Sequence, residues 1–216
     1  MLKRFLNHEK GITGLETAII LIAFVVVAAV FAYTTLSAGL FSTQKSQEAV
    51  YAGLKEARST LELKGGVIAV ADSTGSSGTI KQVKFTVANV LGGEEIDFTP
   101  PTANATANGG VADSSVSTNK VVINYVDQSQ EVDNLFWTVT KLGDSDSDNL
   151  LEQNEKFEIT IGATASDSGG GNLISALNPD LSVNDTFSIV VLTPNGAVLQ
   201  IERTTPANID PIENLH

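Results

Sequence analysis

Residues Thr17 to Gln44 form an uncharged run of 28 residues that begins just after the basic leader MLKRFLNHEKG and never recurs along the chain. As a helix rising about 1.5 Å per residue, it would reach roughly 42 Å, against about 30 Å for the hydrocarbon core of a bilayer. One end of the protein is therefore built for lipid or for something equally apolar.

Helical character continues past this run. Val50, Leu54, Ala57 and Leu61 recur at spacings of four, three and four along an otherwise polar segment, the pattern of one apolar stripe on a helix. The spacing predicts one helix from about residue 13 to 64, ending at Gly65-Gly66 and on the order of 78 Å long. A lone helix cannot bury its own apolar surface. The first half, apolar all round, demands lipid or neighbouring helices, and the second half offers one face to a head or to other copies. Self-association follows from the pattern.

At 216 residues the chain suits a stem plus one globular domain of ordinary size. Cysteine is absent and Met1 is the only methionine, which excludes disulfides, thiolate metal sites and cysteine nucleophiles. Residues 1–11 carry a net charge of +2, residues 12–65 balance to zero, and residues 66–216 carry six basic and twenty acidic side chains. An acidic head repels nucleic acid and anionic surfaces and attracts cations, so DNA and RNA are set aside as partners.

Three readings of the amino terminus compete. A removable secretory signal has an apolar stretch of about 7–15 residues, and here Ser37-Ala38-Gly39 offers small residues after a run that is too long. A plain transmembrane anchor with a positive-inside leader is the second. The third rests on Lys10-Gly11 abutting Ile12-Thr13-Gly14-Leu15-Glu16 with no spacer, which resembles the class III signal of type IV pilins and archaeal flagellins (archaellins). That resemblance implies a prepilin-type leader peptidase in the membrane, cleavage after Gly11, and Ile12 as the new amino terminus. Glu16 then becomes the fifth mature residue. A carboxylate there lies one helical turn from the new amine and at the positive end of the helix dipole, and either charge alone among apolar groups would be unfavourable.

Gly14-Leu15-Glu16, the run Ile19 to Tyr33 and the continuation Thr43-Gln44-Lys45-Ser46 resemble the stem of an archaellin specifically. The family implies a rod of packed amino-terminal helices with β-rich heads outward, a homopolymer that paralogous subunits can join. Many archaellins lack a glutamate at the fifth position, so Glu16 departs towards the pilin pattern and leaves a non-motile pilus open. Because lipid and helix core are comparably apolar, close packing at small residues should drive assembly. Gly14, Ala18, Ala23, Ala28, Ala29 and Ala32 are the candidates for close approach, with Glu16 inside the same core.

The rest of the chain reads as β. Alternating or β-branched runs occur at Val67 to Ala71, Val83 to Val90, Val121 to Val126, Leu135 to Leu142, Phe157 to Ile161 and Phe187 to Leu192, as strands require. Pro194-Asn195-Gly196 turns into a seventh, Ala197 to Glu202, making a carboxy-terminal hairpin. Seven strands suggest an immunoglobulin-like sandwich or a Greek-key barrel. The fold class is therefore α+β: leader 1–11, long apolar helix 12–65, all-β head 66–216. Pro100 to Asn119 and Ser166 to Pro179 read as long exposed loops, and neither glycine run fits a phosphate-binding pattern.

The sharpest local constellation is the acidic segment 144–155. Asp144, Asp146, Asp148, the Leu150 carbonyl, Glu152 and Glu155 fall at loop positions 1, 3, 5, 7, 9 and 12, the oxygen spacing of an EF-hand-type Ca2+ loop. Five carboxylates in twelve residues would repel one another without a cation. Asn149 stands where the turn glycine belongs, and strand-like flanks argue against a true EF-hand; a solvated acidic loop is the competing reading. Asn104-Ala-Thr106 and Asn184-Asp-Thr186 fit the N-glycosylation pattern, against ordinary turn asparagines.

Catalysis finds no support. His8 and His216, the two histidines, sit in the leader and at the last residue, so no histidine triad or zinc site can form within the head. Glu94-Glu95 is read as solvated loop charge. The residues thus point to a secreted structural subunit resembling an archaellin: processed after Gly11, held in the membrane by its helix, then polymerised into a swimming filament outside the cell. An adhesive type IV pilus subunit and a membrane-anchored Ca2+-binding surface domain are the alternatives.

Overall fold

The computed structural model describes residues 6–58, 61–90, 94–104, 109–143, 145–162 and 173–215. The chain divides into two compact units, Met1–Ala52 and Gly53–His216.

The first unit is helical. Helix α1 spans Leu6–Arg58, 53 residues or about 80 Å, without a proline to interrupt it. It stops earlier than the sequence spacing predicts. Leu61, counted above as the last position of the helical stripe, opens strand β1 (Leu61–Ser73) instead. Leu61 and Leu63 alternate with exposed Glu62 and Lys64 once this segment pairs with β2 (Thr79–Asn89), Leu61 facing Asn89 and Lys64 facing Thr86. A period of two wins because the sheet supplies hydrogen bonds and a buried side that a protruding helical turn lacks. Gly65-Gly66 is not a helix stop but a bulge within β1, where the pairing jumps from Lys64–Thr86 to Ile68–Lys84. Gly65 has a φ of 84°, which glycine adopts without steric penalty.

The second unit is built on antiparallel sheets. All seven expected strands are present, joined by β3 (Ile96–Asp97), β5 (Glu131–Val132), β7 (Leu150–Leu151) and β11 (Ile212–Leu215); the others are β4 (Val122–Asp127), β6 (Trp137–Leu142), β8 (Lys156–Ile161), β9 (Thr186–Leu192) and β10 (Val198–Thr204). One sheet runs β11-β1-β2-β8-β6, a second β10-β9-β4-β5, and β3 pairs with β7. Both large sheets are open, so the sandwich reading holds and the barrel reading does not. Alternation explains the layers. Phe85 and Val87 of β2, Phe157 and Ile159 of β8, and Ile123, Ile189 and Ile201 of the second sheet fall into one buried cluster.

Phe98, Trp137 and Phe157 anchor this core edge-to-face, with ring centroids 6.0 Å apart in each of the pairs Phe98–Trp137 and Phe98–Phe157. Tyr125 stacks on Phe187 at 5.8 Å. Such pairs contribute on the order of 0.5–1.5 kcal/mol beyond the area they bury. The β9–β10 hairpin forms as read: Thr193 N–H donates to the Ala197 carbonyl at 3.0 Å and Gly196 N–H to Thr193 at 3.1 Å.

The segment 100–119 is less exposed than its composition suggests. Pro101, Gly109, Gly110 and Ala112 are buried, and bridges join Ala103 to Ala112 and Val111 to Leu135. A Cβ on Gly110 would stand 2.5 Å from the Ala176 nitrogen, so glycine lets this segment lie against the 3-10 turn Leu173–Ser175. That turn falls inside the second expected loop; its residues 166–172 lie outside the described residues.

Candidate functional site

Most of the exposed large apolar side chains lie on the stem. From Gly14 to Leu54 every residue is exposed, Leu15, Ile22, Phe24, Val30 and Phe31 by more than half of their surface, and this helix is long and apolar enough to cross a membrane. Threonine hydroxyls within it bond back to the helix: Thr17 Oγ1 donates to the Gly14 carbonyl at 3.2 Å, Thr35 Oγ1 to the Phe31 carbonyl at 2.8 Å and Thr43 Oγ1 to the Leu40 carbonyl at 2.9 Å. Back-bonded in this way, the threonines present methyl groups outward and demand no water.

At about 100° per residue, Gly14, Ala18, Ala29 and Ala32 share one face, Ala28 lies at its edge, and Ala23 lies on the far side with Glu16. The six small candidates therefore do not lie on one face of the helix. The absent side chain of Gly39 leaves a shallow, open hollow on the helix surface beside Leu36 and Leu40, which sequence reasoning did not single out.

Helix α1 runs through the Gly11–Ile12 bond. Gly11 is less favourable within a helix than alanine by roughly 1 kcal/mol.

In the acidic segment, Asp144 lies outside the described residues. Among the rest, the carboxylates serve the backbone. Glu155 Oε1 accepts the Asp146 N–H at 3.0 Å and Oε2 the Glu152 N–H at 3.0 Å, Asp146 Oδ1 accepts the Asp148 N–H at 2.9 Å, and Asp148 Oδ1 accepts the Leu150 N–H at 2.8 Å. These are successive Asx-type turns. Leu150 has been drawn into β7 opposite Asp97. Asn149 does not take the left-handed conformation of an EF-hand glycine; Asn154 does, with φ 73°. Among the described residues no group of three or more acidic or histidine side chains is arranged to hold a metal ion. Partial desolvation, with Glu155, Asp146, Asp148 and Glu95 nearby, raises the pKa of Glu152.

The two sequons differ. Asn104 is half-buried, its N–H donating to the Val111 carbonyl at 2.9 Å. Asn184 is exposed at φ 59° in the turn leading into β9. It borders a concavity of about 300 Å³ with Asp127, Asp180 and Asp185.

Similarity to known proteins runs along most of the chain. The family model for archaeal-type flagellin matches residues 11–203. Probable flagellin 1 of Archaeoglobus fulgidus is 41% identical over 209 residues, covering 96% of this chain and 95% of that one. Probable flagellin 1 of Aeropyrum pernix is 33% identical over 215 residues, 94% and 96% of the two chains. Among solved structures, the archaeal flagellum of Methanospirillum hungatei strain JF1 matches with a TM-score of 0.59 at 28% identity, covering 94% of this chain and 98% of that one.

Proposed function

The chain belongs to the archaeal-type flagellin family, and from that premise we infer the route by which its stem reaches the filament. It is a structural subunit of the archaeal flagellum filament, extracellular and serving motility, and not an enzyme. The pilus and anchored-domain alternatives give way to that match. A single observation carries the mechanism: an apolar helix from Gly14 to Leu54 along which every residue is exposed.

Such a helix rests in lipid before assembly and among other stems after it. A leader peptidase cuts after Gly11 and frees the Ile12 amine one turn from Glu16, where the dipole and the carboxylate favour the charge together. The start of the family match at residue 11 supports this reading. Amino-terminal sequencing of the subunit from sheared filaments tests it: Ile12 is the expected first residue, whereas Met1, or a start beyond Gly39, overturns the route.

Two modifications of the head belong to the same proposal. Ca2+ binding at Asp144, Asp146, Asp148, Leu150, Glu152 and Glu155 is supported by the like-charge crowding around Glu152; the Glu155 hydrogen bonds would be exchanged for metal contacts. Calorimetry with Ca2+ alone on dissociated subunit tests it, and no heat refutes it. N-glycosylation at Asn184 is supported by exposure and at Asn104 by its sequon alone; an unmodified intact mass from native filaments refutes both.

A further inference from the structure

Resting on the reading of Asn184 as a glycosylation site, we propose that the first sugar of its glycan is seated in the concavity beside it, with ring hydroxyls bonded to Asp127, Asp185 and the Tyr125 phenol.

The concavity lies at one end of the second sheet, where the turn after β4 meets the turn before β9. Register builds it. Asp127 pairs with Phe187 and Tyr125 with Ile189, so the aspartate and the tyrosine project from the same face of β4. The Tyr125 ring stacks on Phe187 at 5.8 Å. Its hydroxyl, on a residue only 1% exposed, has no hydrogen-bond partner. Burial raises the pKa of this phenol, and the Asp127 and Asp185 carboxylates that line the concavity raise it further. The orphan group therefore faces that space. A buried hydroxyl left unpaired is unfavourable, and a ligand that joins it to the carboxylates removes the deficit.

The two carboxylates are held ready. Asp127 Oδ1 accepts the Ser129 N–H at 2.6 Å and hydroxyl at 2.8 Å, and Asp185 Oδ2 accepts the Ser182 N–H at 2.9 Å and hydroxyl at 2.8 Å. Asp185 thus spends only Oδ2 on its own turn. Acceptors fixed in advance lower the ordering cost of a weak ligand.

Such acceptors call for donors. Among the described residues no three carboxylates converge to hold a metal ion, whereas hydroxyls spaced around a sugar ring reach acceptors that stand apart. Pro179 offers an apolar edge to the C–H groups of the same ring. Asn184 names the occupant: it is exposed, lines the concavity, and has its left-handed backbone tied by its N–H to the Pro206 carbonyl at 3.3 Å. A sugar linked there stays at a local concentration on the order of millimolar, so weak hydrogen bonds suffice to seat it.

The test compares Tyr125→Phe in two backgrounds, the unmodified chain and Asn184→Gln, using filaments from cells dissociated into subunits. Peptide mass mapping reads occupancy at Asn184, and thermal melting reads the seat. With glycan present, Tyr125→Phe should lower the melting temperature by about 2–4 °C, the scale of one lost hydrogen bond in a chain of this size. In Asn184→Gln the same change should leave the melting temperature unchanged or raise it, because the hydroxyl removed there has no partner. An equal shift in both backgrounds overturns the seat and leaves glycosylation standing. An unmodified Asn184 in native filaments sinks the glycosylation reading, and the seat with it.

Discussion

Glu155 reaches back nine residues to Asp146, its Oε1 accepting the Asp146 backbone N–H at 3.0 Å while Oε2 accepts the Glu152 N–H at 3.0 Å. One carboxylate thereby closes both ends of the acidic loop. Glu155→Ala should lower the stability of the subunit by about 1–2 kcal/mol, the scale of charge-assisted hydrogen bonds at a partly exposed site. Thermal melting of dissociated subunit measures this. EDTA should lower the melting temperature of the unmodified protein and leave that of Glu155→Ala unchanged if the same carboxylate also serves a cation.

Glu152 carries a pKa above its ordinary value, from partial desolvation and then from Glu155, Asp146, Asp148 and Glu95. A carboxyl raised in the folded state contributes stability below its unfolded pKa and loses it as pH rises through the folded one. Glu152→Gln should therefore raise the melting temperature of EDTA-treated protein at pH 7 and have no effect at pH 3. A decrease at pH 7 would count against this account.

Asp127 behaves oppositely. Burial pushes its pKa up, but hydrogen bonds from the backbone and hydroxyl of Ser129 and from the side chain and backbone of Gln130 overcome this and hold it down to about 2. A depressed carboxyl stabilises the fold above its unfolded pKa and ceases to as pH falls through the folded one. In Asp127→Ala the acid-unfolding midpoint should move to higher pH, with far-UV circular dichroism as the readout. The Gln130 side chain also donates to the Pro179 carbonyl at 2.7 Å, so the change should loosen the turn at Pro179 as well.

Gly162 has φ 79°, and a Cβ on it would lie 2.3 Å from the Lys81 carbonyl and 2.6 Å from the Leu173 nitrogen. Both are backbone atoms that cannot swing aside. Gly162→Ala combines a left-handed penalty of about 1–2 kcal/mol with overpacking of about 1–3 kcal/mol. Urea unfolding of the subunit should show a clear drop in midpoint.

Ala28→Arg places a charge in the stem. At the centre of an apolar helix it is unfavourable by about 2.5–3.5 kcal/mol, and no acidic partner lies within a turn of it. Filament growth should fail while the β unit keeps its native circular dichroism. Normal filaments from this variant would refute close packing of stems.

The stem, the seven long strands and the β9–β10 hairpin were legible in order because their signals are local. Apolar period and turn chemistry act over a few residues, and the stem from Gly14 to Leu54 is exposed throughout, so burial does not override them. At Leu61 to Lys64 the same four residues satisfy a helical stripe and a strand alternation. Pairing with Thr86 to Asn89, some 25 residues on, settles which; no local window contains that partner. Strand β11 escaped notice for the same reason: Ile212 and Leu215 mean little until Val67 and Val70 lie beside them. In the acidic segment the sequence determined which oxygens are close along the chain. Only the folded loop decided that Glu155 spends both of its own on backbone N–H groups, because hydrogen bonds to neighbouring amides form wherever a turn presents them. Composition alone established that this chain carries an apolar rod it cannot cover. Where the rod's threonine hydroxyls go depended on the helix being continuous, since only an unbroken 3.6-residue turn brings Thr35 Oγ1 to the Phe31 carbonyl and Thr43 Oγ1 to the Leu40 carbonyl.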